Sequence, residues 1–318
     1  MLNISLSGEG PRFVLDRRRF IAGAAGLATA AGLPLRLWAA EAPHTFKQGD
    51  FDIIVVSDGH LVLPASVMAP EAPPEELKAL LAAAGMTGDE VMPATNAVLI
   101  RSGTDLILVD TGSGTGFQPT AGKLMENLKA AGIDPASITK VVFSHAHPDH
   151  IWGTVADDGS LRFPNAAYVV SSAEWDFWMD PDLKSKMPAE MGGFVDGAQK
   201  HLGAVKDRVT MAKPGDEVVT GVALLDTAGH TPGHVSLEVA GGDGLIVTAD
   251  SIANPYVFFP HPEWKFGFDA DPDLAVENRK KLLDRAAADK MAMLGFHWPY
   301  PGLGRAERKD NAYRYVPA

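Results

Sequence analysis

The sequence predicts an α/β fold with two sheets inside and helices on both outer faces. Three observations carry this. Short apolar runs of strand length alternate with amphipathic helical stretches. The order strands, helix, strand and polar loop is followed by strands again and a last helix, which suggests two similar βα halves. The side chains with ligating chemistry all fall in loops at strand ends, where a layered α/β fold places its site.

The elements follow in chain order. Phe51 to Gly59 reads as a strand running into a turn, with His60 to Leu63 as its hairpin partner. Pro70 to Pro74 is a proline-rich linker. Glu75 to Ala84 has helical spacing and stops at Gly85. Thr95 to Arg101 and Leu106 to Asp110 are strands joined by a turn at Ser102-Gly103. Pro119 to Ala131 is a helix ended by Gly132. Ile138 to Phe143 is a short buried strand, and Ala167 to Val170 is another. Ser171-Ser172-Ala173-Glu174 has the form of a capping box, so a helix should start there. Val222 to Leu225, Val235 to Val239 and Leu245 to Ala249 are strands, and Leu274 to Ala288 is a strong helix.

Bulk properties narrow the function. A chain of 318 residues fits one large domain or two small ones, and 46% hydrophobic residues supply a sizeable core. Net charge is −12. Residues 1 to 40 hold five Arg and two acidic residues, leaving 23 basic and 38 acidic residues, or −15, in the rest. A surface that acidic repels phosphate backbones and argues against nucleic acid as partner. There is no cysteine, so disulfides and thiolate ligands are both excluded.

Residues 1–42 read as a twin-arginine-type signal peptide. Asp16-Arg17-Arg18-Arg19-Phe20-Ile21 opens a mild Ala- and Gly-rich apolar stretch to Leu35, followed by the small residues Ala39, Ala40 and Ala42. The stretch is too short and too broken by Gly and Pro34 for a good spanning helix. Export to the periplasm or outside the cell is expected, with no stable membrane insertion once the signal is removed. Residues 43–318 are expected to form a single domain.

The chemistry is concentrated in seven side chains. Ser144-His145-Ala146-His147-Pro148-Asp149-His150 packs an H-x-H-x-D-H string behind the apolar run Val141-Val142-Phe143. His230 follows in Gly229-His230-Thr231-Pro232-Gly233-His234, then Asp250 in Val247-Thr248-Ala249-Asp250-Ser251, then His297 in Leu294-Gly295-Phe296-His297-Trp298. Imidazole with carboxylate suits borderline divalent ions, zinc above all. His145 and His147 are two apart, so an extended stretch puts both rings on one side. Asp149 and His150 follow on a turn that faces a second ion. A site this rich implies a metal-activated water and therefore hydrolysis.

This pattern resembles the metallo-β-lactamase superfamily, and Asp110-Thr111-Gly112 upstream also matches it. Gly229 to His234, Pro301-Gly302-Leu303-Gly304 and Tyr313 to Pro317 look like its methyl parathion hydrolase-like branch, which includes lactonases and aryl-ester hydrolases. The resemblance implies a four-layer αββα sandwich, a homodimer and two metal ions. His145, His147 and His230 would hold the first ion, and Asp149, His150 and His297 the second. Asp250 would bridge them beside a bridging hydroxide, with Asp149 or Asp250 as the catalytic proton carrier. Asp110 is the candidate that orients a ligand imidazole from outside. His234 is read as structural, since the first histidine of its pair is the family's ligand. Phe117, Trp178 and Phe194 match the branch's pocket pattern and are expected to share one apolar slot for an aromatic or acyl group. The aromatic run from Tyr256 to Phe268 is open between lid, pocket wall, dimer contact and a loop tucked onto the core. His44, His60, His201 and His261 are assigned no role.

Departures within the superfamily narrow the chemistry further. His at position 147, where the diiron flavoproteins of this fold have Glu, favours zinc-like metals over a redox iron pair. The missing cysteine excludes the β-lactamases that use a thiolate. The expected function is a dinuclear metal hydrolase of small uncharged esters, lactones and aryl esters first, with organophosphate triesters secondary. The alternatives are a β-lactam or cyclic-amide hydrolase of the same fold, and a non-catalytic periplasmic metal-binding protein.

Overall fold

The computed structural model describes residues 41–318. The expected export signal at 1–42 lies outside the described residues, apart from its last two. The strands in chain order are β1 (His44–Gln48), β2 (Phe51–His60), β3 (Leu63–Pro64), β4 (Glu90–Val91), β5 (Ala94–Ser102), β6 (Asp105–Val109), β7 (Lys140–Phe143), β8 (Ala167–Ser171) and β9 (Val209–Ala212). They continue with β10 (Glu217–Val219), β11 (Val222–Asp226), β12 (Val235–Val239), β13 (Leu245–Ala249), β14 (Ala292–Gly295), β15 (Leu303–Lys309) and β16 (Ala312–Pro317). The helices are α1 (Pro74–Ala83), α2 (Leu124–Ala130), α3 (Pro148–Ile151), α4 (Ser172–Trp178), α5 (Leu183–Lys186), α6 (Gly192–Val205), α7 (Pro255–Phe258) and α8 (Pro272–Asp289).

Two seven-stranded sheets form among the described residues. The first runs β1-β2-β5-β6-β7-β8-β9 and is antiparallel to β6 and parallel beyond it. The second runs from β10 to β16 in chain order, antiparallel except for the parallel pair β13 and β14. Period-two alternation sorts each strand between two cores. Ile53, Val55, Val98, Ile100, Ile107 and Val109 of the first sheet meet Leu224, Leu237, Leu245 and Val247 of the second in the central core. Their neighbours Ala97, Leu99, Leu106 and Leu108 face outward, onto Leu128 of α2 and Leu202 of α6. On the far side Ile246 and Met293 face outward onto Leu282, Leu283 and Ala286 of α8. Helix, sheet, sheet and helix therefore form four layers, and strands buried on both faces explain the near-continuous apolar runs.

Four local expectations are corrected. His60 to Leu63 is not a hairpin partner. β2 pairs instead with β1 and β5, and Leu63 pairs with Val91. Gly59 is a bulge, not a turn. Register shifts between Ser57 and Gly59, and a side chain there would meet the Thr120 carbonyl at 2.2 Å. The helix expected over Pro119 to Ala131 begins only at Leu124. Buried Asp58 takes the preceding turn, accepting from the backbone N–H groups of Ser113 (2.8 Å), Gly122 (3.2 Å) and Leu124 (2.7 Å). The capping box at Ser171 is absent: that residue makes no capping hydrogen bond, and Glu174 points into the protein. Finally, α6 is a full helix despite Gly192, Gly193, Gly197 and Gly203, because Val195, Ala198, Leu202 and Val205 give it one buried face. The sheet-edge strands β1, β9, β10 and β16, and β14 and β15 inside the second sheet, had also gone unread.

His201 of α6 is buried against the indole of Trp152, ring centroids 6.3 Å apart and 14° from parallel. Burial, with Lys200 and Arg162 nearby, pushes its imidazole down to about 4. Between pH 6.5 and 4 the unfolded chain therefore binds a proton that the native state does not. The linked stability is full above pH 6.5 and is lost as pH falls through that window, with a ceiling of about 3 kcal/mol. His201→Phe keeps a ring on Trp152 and removes the titration. Unfolding free energy measured from pH 7 to 4 should fall less steeply in the variant. Parallel curves would refute this assignment.

Candidate metal centre

The loops after β7, β11, β13 and β14 end at one rim, where the two sheets meet. β7 delivers His145. His147 sits in extended conformation at the N-cap of α3, and Pro148 opens that one-turn helix, which turns Asp149 and His150 toward the rim. His230 follows Gly229, whose backbone at φ 129° passes so close to α8 that a Cβ would stand 2.3 Å from the Ala275 nitrogen. Asp250 follows Ala249, a non-glycine residue at φ 45°, the kind of backbone strain that surrounding packing must hold in place. Two bonds lock the sheets together at this rim: Asn96 N–H to the Phe296 carbonyl (2.9 Å) and Val235 N–H to the Ser144 carbonyl (3.0 Å).

All seven expected ligands come together, and all are buried. His147 Nδ1 lies 3.1 Å from His145 Nε2 and 3.0 Å from His230 Nε2. His150 Nε2 is 3.5 Å and His297 Nε2 3.2 Å from Asp149 Oδ2. Asp250 stands between the groups: Oδ1 is 3.2 Å from His150 Nε2, and Oδ2 is 3.3 Å from His230 Nε2 and 3.2 Å from His297 Nε2. Three sets of donor atoms are close enough to hold an ion: His145, His147 and His230; His145, His150 and Asp250; and Asp149, His150 and His297. Asp149 Oδ2, His150 Nε2 and Asp250 Oδ1 are buried without any hydrogen-bond partner. Inward lone pairs that face each other rather than donors fit a divalent cation. Ligands about 2.0–2.1 Å from a tetrahedral zinc stand a little over 3 Å apart. The donor set and its spacing therefore make a His/Asp cluster capable of holding metal.

The outer ring nitrogens are tied, which fixes the tautomers. His150 Nδ1 donates to Asp110 Oδ2 (2.8 Å). Ser144 Oγ donates to the same oxygen (2.7 Å), so it accepts from His145 Nδ1 (3.0 Å). Asp110 thus orients two imidazoles, one of them through Ser144. His297 Nδ1 donates to the Ala94 carbonyl on the opposite sheet (2.9 Å). His230 Nδ1 donates to Asp269 Oδ1 (3.1 Å), and Asp269 Oδ2 is paired with buried Arg279 (3.2 Å). Arg279 also donates to the carbonyls of Ser251 and Trp264 and lies 4.1 Å over the Phe258 ring. His234 does not join the cluster. Its Nε2 accepts from the Asp250 backbone N–H (3.1 Å), and burial lowers it to about 3, keeping it the neutral acceptor that this bond needs.

The electrostatics attract positive charge. Burial pushes His145 and His147 well below the usual imidazole range. Burial also opposes charge on His230 and His297, but Asp250 with Asp269 holds the first up at about 9, and Asp250 with Asp149 the second at about 10. Asp149 and Asp250 stay ionised below the usual range, because the rings of His150 and His297 outweigh their burial. Against burial, Asp250, Asp149 and Asp110 likewise raise His150, so three rings hold protons against the carboxylates, and a cation bound there would take their place and release them.

The three expected pocket aromatics do not share one slot. Phe117 and Phe194, 6.0 Å apart, wall an apolar recess over the cluster with Leu61, Leu63, Met68, Phe266 and Phe268. Trp178 is fully buried and borders a second recess with Phe177, Met187 and Met191. The two recesses meet at His147, His230 and Phe268. The Tyr256 to Phe268 run is partly pocket wall: Phe266, stacked on His230, and Phe268 line the first recess, while Phe258 and Phe259 are core.

Sequence reasoning missed Glu174 and Asp269. Oε1 of Glu174 accepts from Ala146 N–H (2.9 Å) and Trp178 Nε1 (2.7 Å), and Oε2 from Thr231 Oγ1 (2.7 Å) and Gly233 N–H (2.9 Å). Burial pushes its carboxyl up, opposed by four donors, three of them N–H groups that cannot accept a carboxyl proton. The form S-x-x-E drew attention to Glu174 for another role, and no local pattern marks Asp269.

Similar proteins share this arrangement of the chain. The family model for the metallo-beta-lactamase superfamily matches residues 93–297. Among solved structures, AidC, described as a dizinc quorum-quenching lactonase in complex with a product, is 30% identical at TM-score 0.82, covering 88% of this chain and 98% of that one. AbOPH, described as a hydrolase in the beta lactamase superfamily, has the same identity, TM-score and coverage. Among curated proteins, the N-acyl homoserine lactonase AttM of Agrobacterium fabrum is 30% identical over 138 residues, 40% of this chain and 46% of that protein. The N-acyl homoserine lactonase AiiA of Bacillus thuringiensis is 27% identical over 173 residues, 53% of this chain and 59% of that protein. The chain spans about half the length of the curated relatives it matches.

Asp269→Asn leaves one acceptor oxygen where His230 and Arg279 use two, and leaves a buried guanidinium without its counter-ion. A destabilisation of about 3–5 kcal/mol is expected, read as a fall in denaturation midpoint. Adding Arg279→Met should recover much of it. If the single variant melts with wild type, the pair carries no such role.

Proposed function

We propose that this chain, which belongs to the metallo-beta-lactamase superfamily, is a dinuclear metal-dependent hydrolase of lactones. The carrying observation is a seven-ligand His/Asp cluster that opens into an apolar recess with no Lys or Arg among the described residues of its lining. Such a wall suits an uncharged ester with an apolar body. Two ions, zinc by the donor chemistry, would be held by His145, His147 and His230 and by Asp149, His150 and His297, with Asp250 between them. Bound there, they supply a water acidified to neutral pH and a Lewis-acid contact for the carbonyl oxygen.

The chain's own residues do the rest. Phe117, Phe194, Phe266 and Phe268 exclude solvent and grip the acyl portion. Asp149 lines the recess, so it is placed to carry a proton to the leaving oxygen. Asp250 is the second proton carrier. Similarity to the dizinc lactonase AidC over 88% of the chain supports the substrate class. Aryl esters and organophosphate triesters are also uncharged and would be secondary substrates. A β-lactam carries a carboxylate beside its ring, and among the described residues no Lys or Arg lines the recess to meet it. The proposal extends to a homodimer acting outside the cytoplasm after twin-arginine export. Among the described residues no helix is long and apolar enough to cross a membrane.

The test is kcat/KM of the zinc-loaded mature protein on an acyl homoserine lactone, an aromatic lactone, an aryl phosphotriester and a β-lactam. A lactone should lead by ~100-fold, about 2.7 kcal/mol of transition-state preference. A phosphotriester or β-lactam in front would replace this reading. Asp250→Asn should abolish turnover. A wild type that binds ions tightly but turns over none of the four would point to the metal-binding alternative. Removing the ions with a chelator should abolish activity, and zinc should restore it.

A further inference from the structure

Glu174 is a fully buried carboxylate whose four hydrogen-bond donors are all neutral. A charge so placed is costly unless it does something that an apolar side chain cannot. It does not cap α4, on which it lies. Its partners divide by oxygen. Oε1 holds Ala146, which lies between His145 and His147. Oε2 holds Thr231 and Gly233, which directly follow His230. The two loops come from different sheets, and together they supply the three imidazoles of one ligand group. The other group is held elsewhere: His150 by Asp110 and His297 by the Ala94 carbonyl.

We infer that Glu174 is a positioning residue that sets the spacing of these two loops, and so the ion affinity of the three-imidazole group without that of its neighbour. The inference rests on the metal-centre reading given above. Its chemistry makes the conservative substitution informative. Glutamine has one acceptor and one amino group, while each oxygen of Glu174 meets two donors. Either orientation of the amide sets N–H against N–H on one loop. The Thr231 hydroxyl can rotate to accept, so the amino group turns toward Thr231 and Gly233, and the His230 loop loses its Gly233 bond, with N–H set against N–H in its place.

The experiment compares wild type, Glu174→Gln and Trp178→Phe as full folded chains. Bound zinc and cobalt are counted after gel filtration, and stepwise affinities are measured by chelator competition. Wild type should hold two ions. Glu174→Gln should keep its fold by circular dichroism but lose one ion, with that step weakened ~10–100-fold and the other unchanged. Trp178→Phe removes a bond that reaches neither loop and should retain both ions. Equal affinities in Glu174→Gln and wild type would overturn the inference. So would equal weakening of both steps, which is what a merely structural role predicts. If Glu174→Gln does not fold, Thr231→Val takes its place. It removes one bond to the His230 loop and should weaken the same single step, and an unchanged step overturns the inference. A wild type that binds both ions but opens no lactone would sink the proposed substrate and leave this role standing. A wild type that binds no divalent ion would sink both.

Discussion

Everything in this molecule is arranged around lone pairs that face one another in a dry place. Imidazole nitrogens and carboxylate oxygens from both sheets meet within 3.0–3.5 Å at the sandwich rim, and three of those atoms have no protein donor at all. Left alone, each such atom costs about 1–3 kcal/mol. The fold tolerates the arrangement because the outward sides of the rings are secured. Asp110, Ser144, Asp269 and the Ala94 carbonyl hold the outer nitrogens of four histidines, and His234 and Glu174 hold the backbone that carries the ligands. Strand order, loop ends and the cross-sheet bonds at Asn96 and Val235 are the means of bringing those anchors into register.

The four layers serve this end. An inter-sheet core of aliphatic side chains is stiff because it is close-packed, so loop ends that emerge from it are held to the tolerance that ligands need. The same core makes the rim dry, which strengthens the electrostatics there. The aromatic recess continues this dryness outward. The strain at Ala249 and the close passage of Gly229 beneath α8 are local costs that the surrounding packing holds in place.

Much of this was legible in the sequence, and the unread parts share one cause. His145, His147, Asp149 and His150 could be read because residues packed at one strand end must come together whatever the rest of the fold does, while His230, Asp250 and His297 were read from the order of their motifs in the family they resemble. The helices over 74–83 and 272–289 and the central strands were readable from the strong periodicity of their apolar residues. What failed was whatever depends on a distant partner. His60 to Leu63 looked like a hairpin return because a local rule was applied where β5, more than thirty residues on, takes the pairing. Glu174 fitted a capping box by spacing, yet its partners lie about thirty and sixty residues away. Asp58 took over the start of the helix expected at Pro119 through a contact across the chain. Phe117, Phe194 and Trp178 were read as one slot, but sequence cannot show that Phe268 stands where two recesses meet.

The tether from His297 to the Ala94 carbonyl has a consequence for exchange kinetics. It runs from a ligand on the second sheet to the edge of the first, beside the Asn96 bond that joins the same two strand ends. An ion held by ligands from both sheets would keep His297 as a ligand for as long as those ends stay together. Its residence time would then lengthen where the seam is tight and shorten wherever a substitution lets the sheets breathe.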